Sequence, residues 1–201
     1  FLVPDASYVD PELTLGLPAE PTAYTGIDAL THCIEAFTNK FAHPLTDVLA
    51  LEGIRLIANN IENACKNGND LEARTALSLG SMYGGMCLGP VNTAAVHALA
   101  YPLGSDYKIA HGLSNAILLP YVMKFNLGGS SLAKYAAIAN VLDGHGNDPV
   151  EVAAARSVEI VKDLLNRCGI PSSMRELGVK EDALPSMAIS AMEIQRLLKN
   201  N

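Results

Sequence analysis

Between Arg74 and Asp106 the chain carries no Asp, Glu, Lys or Arg. A stretch that long without charge has to leave water, because apolar surface of that extent is costly to hydrate. It goes either into a membrane or into a protein core. A membrane span needs about 20 predominantly apolar residues. Here Pro90, Asn92, His97, Pro102 and several glycines interrupt the stretch. It therefore reads as the buried helices of a large helical core. The 201 residues are 49% hydrophobic and 17% charged. That composition excludes a disordered chain, and the length suits one domain or two small ones. The formal net charge of −7 argues against nucleic-acid or anionic-membrane binding, which needs Lys/Arg fields.

Residues 1–21 are expected to be an irregular entry segment, punctuated by Pro4, Pro11, Gly16 and Pro18. From Thr22 the period changes, and residues 22–201 are expected to form one helical domain. Ala29, Leu30, Cys33, Ile34 and Phe37 recur at helical spacing. Further helices are expected over Pro44–Cys65, over Leu71–Leu88 with Asp70 as N-cap, and over Thr93–Leu103. Another runs His111–Phe125 with a break at Pro120, and Leu132, Tyr135, Ala136 and Ala139 mark the next. Asp148 and Pro149 start a helix that Cys168-Gly169-Ile170-Pro171 ends, and a last one covers Glu181–Asn200. Gly80, Gly84 and Gly85 within one helix point to close approach of a neighbouring helix or a ligand. No alternating strand pattern recurs, so the fold class is all-α. The cysteines Cys33, Cys65, Cys87 and Cys168 form no CxxC and read as reduced thiols of a cytoplasmic protein. Phe1 stands where a start methionine is usual, and no signal peptide is visible, so the chain reads as a portion of something longer.

No GxGxxG, Walker loop, GxSxG or HExxH occurs. The five histidines carry more information. His43 and His145 sit in polar turns and read as solvated. His32, His97 and His111 lie in low-charge surroundings, and Asp28 is four residues before His32. That spacing puts both side chains on one helix face, where they can share a metal or form an ordinary surface ion pair. One carboxylate and three imidazoles suit zinc or ferrous iron. A metal-dependent hydrolase would use the same set, and a helical interaction module would keep the histidines as core residues. Spacing alone leaves these readings open.

Two longer blocks narrow the choice. Thr25-Gly26-Ile27-Asp28-Ala29-Leu30-Thr31-His32-Cys33-Ile34-Glu35 resembles the first signature of the iron-containing (group III) alcohol dehydrogenases. Val96-His97-Ala98-Leu99-Ala100-Tyr101-Pro102-Leu103-Gly104, followed by His111-Gly112-Leu113-Ser114-Asn115-Ala116, resembles the second. Asp10-Pro11-Glu12-Leu13-Thr14 and Leu17-Pro18 are similar to the stretch before the ligand helix. The resemblance implies the C-terminal helical domain of the dehydroquinate synthase-like fold. It implies Asp28, His32, His97 and His111 as ligands of Fe2+ or Zn2+, and a nicotinamide cofactor, NAD or NADP. Retention of His32 sets the chain apart from glycerol dehydrogenases. Asp28 where dehydroquinate synthases use Glu, and the complete ligand set that maleylacetate reductases have lost, favour an alcohol dehydrogenase or aldehyde reductase.

The resemblance also marks three further positions. Tyr101 stands where many members have a histidine that passes a proton, and is expected as a hydroxyl relay or a packing residue. Leu17 is expected at the nicotinamide wall. Leu88 is expected in the substrate pocket, where some members place an aromatic residue. The expected partners are a small alcohol or aldehyde and an N-terminal α/β nucleotide-binding domain that this sequence lacks, with homo-oligomerisation left open. The family's final helix is cut short after Asn201, and the chain alone is expected to be inactive.

Overall fold

A computed structural model describes residues 5–201. Phe1 and Pro4, and with them residues 1–4 of the expected entry segment, lie outside the described residues. Nine α-helices and three short 3-10 turns make up the described residues, with no strand among them. The all-helical expectation therefore holds.

The middle of the fold is α1 (Ala19–Thr38), which starts three residues before the expected boundary. Its interior residues Ile27, Leu30, Cys33 and Ile34 are at most 1% exposed. Such burial on several faces requires helices on several sides. α2 (Pro44–Lys66), α3 (Leu71–Leu88) and α5 (His111–Asn126) pack against it. α4 (Ala95–Tyr107) lies on α5, while α6 (Leu132–Asp143) and α7 (Val150–Arg167) form an antiparallel pair. α8 (Leu184–Met192) rests on α4, with α9 (Gln195–Leu198) following. The entry segment is pinned by Arg74, only 2% exposed. Its guanidinium donates to the carbonyls of Gly68 and Leu17 and to the Thr22 hydroxyl.

Several helix ends follow the local chemistry in the sequence. The Asp70 carboxylate accepts from the Ala73 N–H at 3.0 Å, capping α3. His43, read as a solvated turn residue, is exposed and also caps α2: its Nδ1 accepts from Leu45 N–H, and Thr46 Oγ1 accepts from His43 N–H. Gly169, at φ +74°, ends α7 with Ile170 N–H bonded to Leu165 O and Gly169 N–H to Asn166 O.

Other ends differ. α4 starts at Ala95, two residues after Thr93, and runs on past Leu103 to Tyr107. α5 runs unbroken through Pro120. Burial of Leu119 and Met123 on either side offsets the roughly 3 kcal/mol that an interior proline costs. Pro149 is extended at ψ 145°, so α7 begins after it, and the Asp148 carboxylate pairs with Arg156 rather than capping. The expected helix over 181–200 breaks at Ile194 (ψ 54°). The break redirects the chain so that Asn200, 3% exposed, donates to Thr93 O and accepts from Lys40 N–H. Cys65 Sγ donates to the Ala19 carbonyl at 3.7 Å, and all four cysteines are free.

Glycines set the tightest contacts. Gly80 faces α2 and Gly84 faces α1, whereas Gly85 opens onto free space, so the cluster serves helix packing and an open surface alike. A Cβ on Gly112 would lie 2.2 Å from the backbone oxygen of Tyr24. α5 can approach α1 only because position 112 lacks a side chain. Gly112→Ala is expected to lose roughly 3 kcal/mol of stability by overpacking. Gly85→Ala, with nothing within 4 Å, is expected to hold or gain stability. Thermal and denaturant unfolding of the two variants checks the contrast.

Candidate metal centre

Asp28 and His32 share one face of α1, one turn apart. His97 is the third residue of α4, and His111 is the first residue of α5. Three elements thus deliver four side chains to one point, and Gly112 decides how near His111 comes. Asp28 Oδ1 lies 3.7 Å from His32 Nε2, 3.5 Å from His97 Nε2 and 3.7 Å from His111 Nε2. His32 Nε2 and His97 Nε2 are 3.1 Å apart. The ligand atoms of Asp28, His97 and His111 all lie within 4.8 Å of one another, with His32 joining through Asp28 and His97.

These spacings suit a cation. Ligand bonds of about 2.0–2.2 Å in a tetrahedron put neighbouring donors about 3.3–3.6 Å apart. Four lone-pair donors facing one another at such distances repel unless protons or a cation lie between them. The donor set therefore fits a divalent iron or zinc ion held by Asp28, His32, His97 and His111. Access is graded: the side chain of His97 is 5% exposed and that of His111 is 51%. The centre is closed toward the core and open toward His111.

Behind the donors stand two residues that the motifs contained but that were not singled out. Glu35, 4% exposed, holds both neighbours of its carboxylate: Val96 N–H donates to Oε1 at 2.6 Å, and His97 Nδ1 donates to Oε2 at 2.6 Å. A proton on Nδ1 leaves the His97 Nε2 lone pair for the centre. Asn115, fully buried, donates Nδ2–H to Asp28 Oδ1 at 2.6 Å and sits 3.1 Å from His111 Nε2. The signal for Glu35 is a charged residue inside an apolar helix run. The signal for Asn115 is its place four residues after His111, on the same face.

Without a cation, protons hold this cluster together. Burial pushes His97 toward the neutral form, but hydrogen bonds and charge from Asp28 and Glu35 outweigh it and raise its pKa from 6.5 to about 9. Burial also pushes the Asp28 carboxyl up. Hydrogen bonds from His97 and Asn115, with the charges of His32 and His111, bring it below its ordinary value. Burial, then the charge on His97, keeps His32 below its ordinary value.

The other marked residues fall at the margins. The Tyr101 ring lies 6.5 Å from the His111 ring. Leu17 lines an open cleft of about 850 Å³ with Thr25, Ala29, Met82, Gly85 and Met86. Leu88 does not line that cleft. It shares a helix face with Gly84, one turn earlier, which packs against His32 and Cys33 of α1.

A helical domain that gathers one carboxylate and three imidazoles at one point defines a class of cation-binding proteins. The comparisons place the chain within it. Residues 22–201 match the family described as Fe-containing alcohol dehydrogenase, C-terminal. The chain belongs to that family. It is 43% identical over 199 residues to long-chain-alcohol dehydrogenase 1 of Geobacillus thermodenitrificans, covering 98% of this chain and 50% of that one. It is 42% identical to 1,3-propanediol dehydrogenase of Citrobacter freundii, covering 95% and 49%. A crystal structure of 1,3-propanediol oxidoreductase superposes with a TM-score of 0.92 at 39% identity, covering 96% of this chain and 50% of that one. The chain thus spans about half the length of the relatives it matches.

Two outcomes follow. A group whose folded pKa is raised adds stability below its unfolded value and loses it as pH rises through the folded one. Chelator-treated protein should therefore lose stability between pH 6.5 and about 9 as His97 sheds its proton. Added Zn2+ competes with that proton and should raise the melting temperature more at the upper end of the window. Glu35→Gln should weaken cation affinity about 10–100-fold, read by competition with a chromogenic chelator.

Proposed function

We propose that this chain is the metal-holding half of an NAD(P)-linked alcohol dehydrogenase or aldehyde reductase. The observation that carries the reading is the convergence of Asp28, His32, His97 and His111 on one point, open on the side of His111. Fe2+ or Zn2+ there would supply Lewis-acid polarisation of an alcohol or aldehyde oxygen, and the nicotinamide of NAD or NADP would supply the hydride chemistry.

The chain's own residues do the rest. Asp28 offsets one of the two cation charges, so the neutral imidazoles leave a local excess of +1 that favours a developing alkoxide. Glu35 fixes the tautomer and aim of His97. Asn115 steadies Asp28 Oδ1. The Tyr101 hydroxyl accepts from Arg196 at 2.8 Å, which leaves its own O–H to donate toward the centre as a proton relay. Leu17, its carbonyl held by Arg74 at 2.8 Å, forms a wall of the cleft that a nicotinamide would enter.

The half-length match to the relatives supports an N-terminal nucleotide-binding domain as the partner, closing over this cleft. A relative named NAD-dependent methanol dehydrogenase, 35% identical, supports a nicotinamide cofactor. The four free thiols support a cytoplasmic, reducing setting. No described helix is long and apolar enough to cross a membrane.

The test compares this chain with the complete protein, each loaded with iron or zinc. The chain alone should bind the cation and show no NAD(P)-linked turnover, since it offers no glycine-rich phosphate cradle. The complete protein should oxidise alcohols. Substituting His97→Ala there should lower both cation content and turnover more than about 100-fold, since ligand loss exceeds the cost of losing a supporting residue. Turnover by the chain alone without cofactor would favour a hydrolase. Failure to bind any cation would favour an interaction module.

A further inference from the structure

The open side of the centre is occupied by a phenol and a guanidinium. Tyr101 follows His97 by one turn of α4, and its ring lies 6.5 Å from that of His111. From α9, Arg196 donates Nη2–H to the Tyr101 hydroxyl at 2.8 Å, with its guanidinium carbon 5.9 Å from the ring centre. Both side chains are exposed and border a shallow hollow of about 450 Å³ with Glu193.

Arg196 is unlike the chain's other exposed arginines. Arg55, Arg167 and Arg175 each face a carboxylate. Among the described residues Arg196 has no ion-pair partner, and Glu193 in the same hollow stays beyond pairing distance. Most of its N–H donors remain free, arranged in the planar fork that matches carboxylate, sulfonate or phosphate oxygens. The chain carries a net charge of −7, and Asp28 and Glu35 sit in the centre itself. An unpaired guanidinium on the Tyr101 side of the centre is a feature that can attract a negative group.

We propose that Arg196 is a specificity residue that receives an anionic group at the far end of the substrate, while the hydroxyl or carbonyl end lies at the Asp28–His32–His97–His111 cluster. The substrate class is then a short hydroxy-acid or its aldehyde, or the equivalent with another anionic terminus. This inference rests on the oxidoreductase reading above. The rival role for Arg196 is to prop Tyr101 alone.

The experiment uses the complete, metal-loaded enzyme and two probes of equal shape, γ-hydroxybutyrate and its neutral isostere γ-hydroxybutyramide. The wild type should prefer the carboxylate in kcat/KM, and rising salt should narrow that preference. Arg196→Gln should lower the carboxylate-to-amide ratio about tenfold, chiefly through KM for the carboxylate. Arg196→Lys, which keeps the charge, should retain most of it. An unchanged ratio in Arg196→Gln overturns the proposal. So does an equal loss for both probes, which would assign Arg196 to Tyr101 alone. A wild type that prefers the amide, or oxidises n-butanol but neither probe, overturns it as well. Absence of NAD(P)-linked oxidation of any alcohol would instead fail the oxidoreductase reading, and this inference with it.

Discussion

The carboxylate of Glu35 is the interaction on which the arrangement depends. A buried charge is tolerated only when its oxygens are filled, and here both are. One oxygen takes the Val96 N–H in the first turn of α4, where unpaired amides and the helix dipole favour a negative group. The other takes His97 Nδ1. The same residue therefore docks α4 on α1, caps α4 and orients a donor of the centre. Once α4 is placed, α5 must pass close to α1, and Gly112 permits it. Remove the carboxylate and three separate constraints relax together.

Two helix N-termini, those of α4 and α5, supply His97 and His111. Side chains lean toward the N-terminal end of a helix, which is why residues in the first turn can reach a common point ahead of both. That geometry has an electrostatic drawback, because helix N-termini are positive and disfavour a cation. Asp28 at the centre and Glu35 behind it offset the two dipoles. The cluster then balances between two states. Protons held by His97 satisfy it when no cation is present, and a divalent ion must displace them. The raised His97 pKa and the depressed Asp28 pKa are two sides of that competition.

Much of this was legible in the sequence. α3 runs over the expected Leu71–Leu88 with Asp70 as its cap, because a carboxylate in that place has little else to do. The four donors were nameable because two motif blocks carry them, and the structure brings all four together. The misreadings share a physical cause: local signals yielded to tertiary ones. Pro120 breaks nothing because the residues around it are buried. Asp148 does not cap because Pro149 holds an extended conformation and Arg156 claims the carboxylate. The 181–200 helix breaks where Asn200 turns inward to Thr93 and Lys40, contacts that no local pattern encodes. Glu35 and Asn115 lay inside the motifs, but their roles depend on which helix packs beside them.

The fold separates what the domain completes by itself from what it leaves open. The donors and their supports come from α1, α4 and α5, and His97, Glu35 and Asn115 are buried, so the domain can assemble the cluster with its own residues. The opposite holds around the opening. Half of the His111 side chain is exposed, and Tyr101, Leu17, Met82 and Met86 present apolar surface to water. Exposed apolar surface along a polar-edged cleft has a free-energy cost that a domain avoids unless something else covers it. Arg74 makes the contrast sharper: a buried guanidinium spends its hydrogen bonds on holding the Leu17 carbonyl and Thr22 at the cleft margin. Such a rigid margin beside uncovered apolar side chains fits a surface shaped for a partner and a ligand, and it is on that side that the chemistry of the centre is reachable.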